Sequence, residues 1–252
     1  MKIASILFLL YIGFSPVFGQ DKDFKKVGIV YDLCDSIYQN HVGLIGSNVS
    51  VKSYPQDANL NLIIEGFLDN EIKNINCLEV HRLEFSAEDI YCMMVRNDLS
   101  PVSSYDMIMV VKDVGISVVY PILPYGYYTN NYRGRGIITF ITNKAQIYAN
   151  LGVELINTSN GRSRTYHLDD DLSGSEWRLK ALLRTKPNYF SKDENKKELS
   201  DEKILDIQKY LVEMYRLQVF ELFYGDRLYR TVFELFNEKG KKYKSPCKWN
   251  NM

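Results

Sequence analysis

The chain has 252 residues, 46% of them hydrophobic and 25% charged, a balance that supports a packed core and argues against disorder as its overall state. Lysine plus arginine equals aspartate plus glutamate at 31 each. That neutrality argues against a dedicated nucleic-acid binder, which needs a basic footprint to displace counterions from phosphates.

The amino terminus has the layout of a cleavable secretory signal. Met1-Lys2 is a short basic start, Ile3 to Phe14 is almost unbroken apolar sequence, and Pro16 breaks the run. Val17-Phe18-Gly19 then places small or tolerated residues before Gln20. The apolar stretch is too short to span a bilayer stably. Residues 1–19 are therefore expected to be removed near Gly19-Gln20, leaving a secreted or periplasmic product with no stable membrane span. No cysteine follows the signal in lipoprotein fashion, so lipid anchoring is not expected. Cys34, Cys77, Cys92 and Cys247 permit two disulfides in an oxidising compartment, with the pairing open. They contain no C-x-x-C, which leaves zinc and thioredoxin-like readings without support. Cys77 sits in a strand-like run and Cys92 in a helix-like one, so either also suits a small buried hydrophobe.

After a charged leader, Asp21 to Lys26, the run Val27–Tyr31 reads as a buried strand. His41 to Val51, with Gly43 and Gly46, reads as a second strand bulged at a glycine. Leu60, Ile63, Ile64, Phe67, Leu68 and Ile72 recur at helical spacing, with Asp57 or Asn59 available as the cap. Cys77–Leu83 alternates as a third strand. Ser86 and Asp89 have capping-box spacing at the start of a short helix that runs on to Val95. Met107–Val111 is a strongly apolar strand, and Val114–Tyr120 continues or pairs with it. A tyrosine-rich loop follows, bounded by Pro121 and Asn131. The strands Ile137–Ile141, Ala145–Ile156 and Arg162–His167 read as a three-strand antiparallel meander, with Asn160-Gly161 as a type I′ turn.

Ser173–Arg184 reads as helical, with Trp177, Ala181 and Leu182 inward, and Asn188–Glu198 as polar and exposed. Ser200 caps a long helix whose apolar residues from Ile204 to Leu222 crowd more than one face, which requires burial against the sheet or another chain. Gly225 interrupts it. Leu228–Phe236 is a further apolar segment, and a basic tail runs from Lys239 to Met252. The expected division is a signal (1–19), an α/β domain (27–185), a polar linker (186–199) and a C-terminal helical segment with its tail (200–252). The expected class is α+β: a mixed, mainly antiparallel sheet with helices on one face and a helical C-terminal extension.

The order of Val27–Tyr31, the Leu60–Ile72 helix, Met107–Val111 and the Ala145–His167 hairpin resembles the small α/β domains of bacterial envelope assembly proteins. These include the amino-terminal domain of the Tol translocation protein and the curli secretion lipoprotein. The chain also resembles uncharacterised secreted bacterial proteins with a Tyr-Gly loop before the last hairpin, here Tyr125-Gly126-Tyr127. The resemblance implies an envelope location and no particular activity.

Three stretches could carry chemistry. Asp169, Asp171, Ser173 and Gly174 match the opening of a calcium loop, but Lys180 occupies the position of its closing glutamate. Acidic residues ahead of a helix also serve its dipole simply. A hydrolase would have to use His167 with the Asp169–Asp171 run; His41 and His81 are the remaining histidines, and no Gly-x-Ser-x-Gly elbow occurs. For binding, Tyr125, Tyr127, Tyr128 and Tyr132 offer flat apolar faces with polar edges, suited to a protein or a glycan. Arg133 and Arg135 could hold a carboxylate or phosphate, and Gly134 and Gly136 admit a close backbone. Asn48 and Asn157 lie in glycosylation triplets that decide nothing by themselves. The expected role is a non-catalytic module without cofactor that engages another envelope or extracellular protein.

Overall fold

A computed structural model describes residues 25–43, 49–56, 59–73, 78–122, 126–167, 181–191, 194 and 196–224. The fold is α+β, and its pairing is mixed and mainly antiparallel, in two five-stranded sheets and one two-stranded ribbon.

The first sheet is built on β1 (Lys25–Asp32). The next two strands, β2 (Ser36–Val42) and β3 (Val49–Pro55), belong to the second sheet and lead into α1 (Asn59–Lys73). From there β4 (Leu78–Arg82) returns parallel to β1, and α2 (Ala87–Val95) crosses over to β5 (Met107–Asp113), parallel to β1 on its other side. Val27 and Ile29 on one face of β1 and Val30 on the other are all buried, as the centre of a covered parallel sheet requires. The ribbon strands β6 (Ile116–Ile122) and β7 (Gly126–Tyr132) follow, then β8 (Gly136–Phe140) and β9 (Ala145–Tyr148) of the second sheet. The chain returns to the first sheet as β10 (Leu151–Asn157) and β11 (Ser163–His167), and β12 (Leu183–Lys186) closes the second sheet before α3 (Asp201–Tyr224). The strand orders are β11-β10-β5-β1-β4 and β12-β9-β8-β2-β3.

One core joins the two sheets. Val27, Met109 and Val153 from the first sheet meet Ile37, Ile137 and Ile147 from the second, with Leu60, Ile64, Leu68 and Ile72 of α1 and Ile207, Leu211, Met214 and Val219 of α3. The apolar breadth of α3 is thus spent only in part on the sheets and α1, since Leu205, Leu217 and Phe220 remain exposed. On the far side of the first sheet, α2 buries Ala87 and Ile90 against Val30, Ile108 and Val110. The Ser86–Asp89 capping box forms as expected, with both reciprocal bonds present. Ser200 also caps α3, its hydroxyl accepting from the Lys203 backbone N–H at 3.4 Å.

Four local expectations change. His41–Val51 is not one bulged strand but the facing halves of the β2–β3 hairpin, parted after Gly43. Ala145–Ile156 is likewise two strands in different sheets, so the meander is broken. The break sits at Ala149-Asn150, where the Val114 N–H donates to the Asn150 carbonyl at 3.0 Å and the Asn150 side chain donates to the Gly115 carbonyl at 2.9 Å. Residues 126–132 are a strand and not a loop, since tyrosine and threonine fit a pleated surface well. The β10–β11 hairpin forms, but Asn157 pairs with Arg162 across a longer loop, and only Gly161 of Asn160-Gly161 has positive φ, at +67°. A type I′ turn needs both.

Leu183-Arg184 belongs to β12; the rest of the helix expected over 173–184 lies outside the described residues apart from Ala181 and Leu182, which are buried. Across the stretch expected as a polar linker, Phe190 and Leu199 are buried, and the Tyr189 N–H donates to the Asn143 carbonyl at 2.8 Å. The segment from Leu228 and the basic tail lie outside the described residues.

Candidate functional site

Strand alternation puts Asn40 and Val42 of β2, Ile138 and Phe140 of β8, Gln146 and Tyr148 of β9, and Leu183 and Thr185 of β12 on the outer face of the second sheet. The β6–β7 ribbon covers one end of it. Ile116 and Tyr132 pack on Val42, Ile138 and Tyr148, and the Tyr132 and Tyr148 rings lie 5.7 Å apart. The Tyr148 hydroxyl accepts from Asn40 Nδ2 at 2.9 Å and donates to the Arg133 carbonyl at 3.0 Å. Burial raises its pKa far above the usual phenol range, so it stays a neutral linker.

At the opposite end the face opens into a groove of about 410 Å³, within the range of ligand pockets. Val42, Phe140 and Ile141 supply its apolar lining, and Lys144, Gln146 and Thr185 its polar one. Ile141, at the rim, is 46% exposed. Two bonds fix this rim: Lys196 Nζ donates to the Ile141 carbonyl at 2.8 Å, and Asn143 accepts from Tyr189. Gln146 Nε2 donates to Thr185 Oγ1 at 3.4 Å, while Gln146 Oε1 is buried without a hydrogen-bond partner. Lys144 is exposed and has no ion pair among the described residues.

The residues expected to bind ligand are dispersed. Tyr125 lies outside the described residues. Tyr127 and Tyr128 stand in β7 opposite Pro121 and Tyr120, with their side chains outside the description. Tyr132, at the end of β7, is buried between the ribbon and the second sheet, which removes it as a stacking surface. Arg133 is exposed.

Arg135 is fully buried, so it serves the fold and not a surface ligand. One terminal nitrogen donates to the Cys34 carbonyl, Gln56 Oε1 and Asn61 Oδ1, and the other is 3.6 Å from Asp113 Oδ2. Asp113 also accepts from the Cys34 N–H at 2.9 Å and from the Tyr215 hydroxyl, and the guanidinium lies 5.5 Å from the Tyr215 ring centre. This node ties the ends of β1 and β5 to α1 and α3. Burial, then the charge of Asp113, pushes the Cys34 thiol up to about 12, so it is no nucleophile at neutral pH.

His167 ends β11 opposite Gly152 with its side chain outside the description, and Asp169–Asp171 lie outside the described residues altogether. His81 is exposed beside Glu79 at 2.8 Å. Cys34 and Cys92 are free thiols, and Cys92 is exposed rather than packed. No metal-binding group of side chains occurs among the described residues. Sequence reading missed the Phe140-Ile141 groove; the available signal was an apolar pair running straight into the polar turn Thr142-Asn143-Lys144. It also missed a triad on the α2 side of the first sheet, where Lys112 Nζ donates to Tyr91 and Glu154 and Tyr91 donates to Glu154, each within 2.9 Å. The three groups there satisfy one another.

No family model matches the chain, and no curated protein matches it. Among solved structures it is similar to a Xanthomonas campestris protein of the DUF330 family, at 10% identity and a TM-score of 0.38, over 83% of this chain and 89% of that one. A lipoprotein from Neisseria meningitidis is similar at 8% identity and 0.30, over 75% and 96%. The PelC dodecamer of Paraburkholderia phytofirmans follows at 12% and 0.22, over 77% and 90%. These are other proteins than the Tol and curli domains expected from the element order. Scores this low mark a partial likeness of chain path, and no role passes from these proteins to this chain.

Proposed function

We propose that the protein is exported and acts as a non-catalytic module of the bacterial envelope or extracellular space, holding another protein on the outer face of its second sheet. The secretory layout of residues 1–19 supports export. Among the described residues no helix is long and apolar enough to cross a membrane. The observation that carries the binding role is the groove beside the ribbon: a recess with an apolar lining on the outer face of the second sheet, with its rim pinned by Lys196 and Tyr189. A pinned rim loses little freedom on binding, which favours affinity.

The test places a photo-crosslinking residue at Ile141, and separately at exposed Glu88 on α2, in cells of the native host. A discrete adduct from Ile141, absent from Glu88, supports the reading. No adduct at Ile141, or equal labelling at both positions, overturns it. Amino-terminal sequencing of the recovered protein checks export, which predicts a chain beginning near Gln20.

A further inference from the structure

We infer that the free edge of β3 pairs with the same edge of a second copy of this chain, antiparallel and centred on Val51, so that the two second sheets continue into one. This surface is separate from the groove, to which β3 contributes no residue.

β3 stands at one end of the second sheet, bonded to β2 on one side. The parity of that pairing fixes which backbone groups are left over. The Gln56 N–H donates to the Asp35 carbonyl at 3.3 Å directly across the hairpin, whereas the Tyr38 N–H turns away from β3 to the Arg135 carbonyl at 2.9 Å. Alternation then turns the backbone of Ser50, Lys52 and Tyr54 toward β2 and sends the N–H and C=O groups of Val49, Val51 and Ser53 outward. Pro55 falls in the outward set, where its missing N–H costs the hairpin nothing and marks where an added ladder must stop.

The other sheet edges are guarded or short. β4 exposes Glu79, His81 and Arg82, β11 exposes Arg164, and β12 is four residues long. β3 runs for seven residues, and its one charge, Lys52, is drawn to Glu198 at 2.9 Å. The Tyr54 hydroxyl accepts from the Leu199 N–H at 3.1 Å and donates to Gln39 at 2.9 Å, bonds that brace the strand from its inner face. Val51, opposite Asn40 on the outer face, is 59% exposed. A braced edge with an apolar residue at its centre suits strand addition.

Backbone pairing alone would admit any extended chain; the side chains choose the copy. The fitting strand needs an apolar residue opposite Val51 and an uncharged one opposite Lys52, whose charge Glu198 already answers. β3 supplies both to itself. A two-fold axis through Val51 sets Val51 against Val51, Ser50 against Lys52 and Val49 against Ser53. All three outward residues of each copy then form bonded pairs, and proline stays out of them. Centring the axis on Lys52 instead would set two lysines face to face and bring Pro55 opposite Val49.

The test is sedimentation equilibrium of the full exported chain over a concentration series, which is expected to show a monomer–dimer equilibrium. Val51→Pro removes the reciprocal N–H bonds at the axis without touching a bond to β2, and is expected to leave a monomer. Val51→Lys and Val51→Glu, each alone, set like charges across the axis and are expected to weaken the dimer about tenfold. An equimolar mixture of the two is expected to recover it as a heterodimer. Val51 is exposed, so these variants leave the core intact, and circular dichroism checks that they do. A monomeric parent, a dimer that survives Val51→Pro, or charge variants that fail to recover on mixing would each overturn the inference.

Discussion

Tyr215 of α3 donates its hydroxyl hydrogen bond to Asp113 at the end of β5, and both side chains are wholly buried. The contact spans 102 residues of sequence and places a long helix against the ends of two parallel strands. Asp113 is also the counter-charge of buried Arg135. Burial, then the charge of Asp113, raises the Tyr215 pKa well above the phenol range, so its proton stays in the bond.

The two partners should therefore differ in what they support. Tyr215→Phe removes one bond to a charged group and is expected to cost about 2 kcal/mol. Asp113→Ala strands the Arg135 charge and is expected to cost about 3–5 kcal/mol. Urea unfolding of both variants measures the difference. Equal losses would show that Asp113 does not hold Arg135.

Gln218, fully buried on α3, donates to the Ala149 and Ala181 carbonyls at 3.0 and 2.8 Å and accepts from the Leu151 N–H at 2.7 Å. It satisfies the backbone where the chain leaves one sheet for the other. Gln218→Leu keeps much of the volume but leaves those groups buried and unpaired, at an expected cost of about 3 kcal/mol. Amide exchange at Leu151 should accelerate with it. A variant that unfolds like the parent would remove this role.

Ser86→Ala deletes the side-chain half of the α2 capping box while leaving core residue Ile90 untouched. The expected loss is about 1 kcal/mol. Thermal unfolding reads it, and Ser86→Thr should recover most of the difference because a hydroxyl still reaches the Asp89 N–H.

His41 lies on β2, its Nδ1 3.0 Å from Thr139 Oγ1. Burial, then the charges of Lys197 and Lys196, hold its imidazole below the ordinary value of 6.5. The unfolded chain then binds the proton more readily than the folded one. Stability from this group is complete above the unfolded pKa and is lost as pH falls below 6.5 toward the depressed folded value. The melting temperature should drop more between about pH 7.5 and pH 5.5 for the parent than for His41→Gln. Parallel pH profiles would show that His41 does not titrate in this way.

What could be read along the chain was whatever depends on neighbours a few residues away. The capping box at Ser86 and Asp89, the cap at Ser200, the stripe Leu60–Ile64–Leu68–Ile72 and the apolar run Met107–Val111 are all local in that sense. The errors fall where a distant partner decides. Ala145–Ile156 has strand composition throughout, and only the Asn150 contacts with Val114 and Gly115 send its halves into different sheets. The tyrosines of 126–132 looked like a binding loop because turn residues flank them, but pairing with Ile116–Ile122 makes them a strand. Arg135 read as a surface cation because arginine is seldom buried. Its counter-charge, Asp113, lies in a strand of the other sheet.

Class, export layout and zero net charge thus follow from composition and short-range pattern, since propensity, capping and apolar periodicity act within a few residues. Of the groove, only the Phe140-Ile141 pair ahead of its polar turn is local in that sense. Val42, Phe140, Gln146 and Thr185 come from four strands and share a face only through the pairing of β2 with β8, β8 with β9, and β9 with β12. Which apolar residues stay uncovered depends on where the ribbon lands on that face, and long-range packing alone decides it.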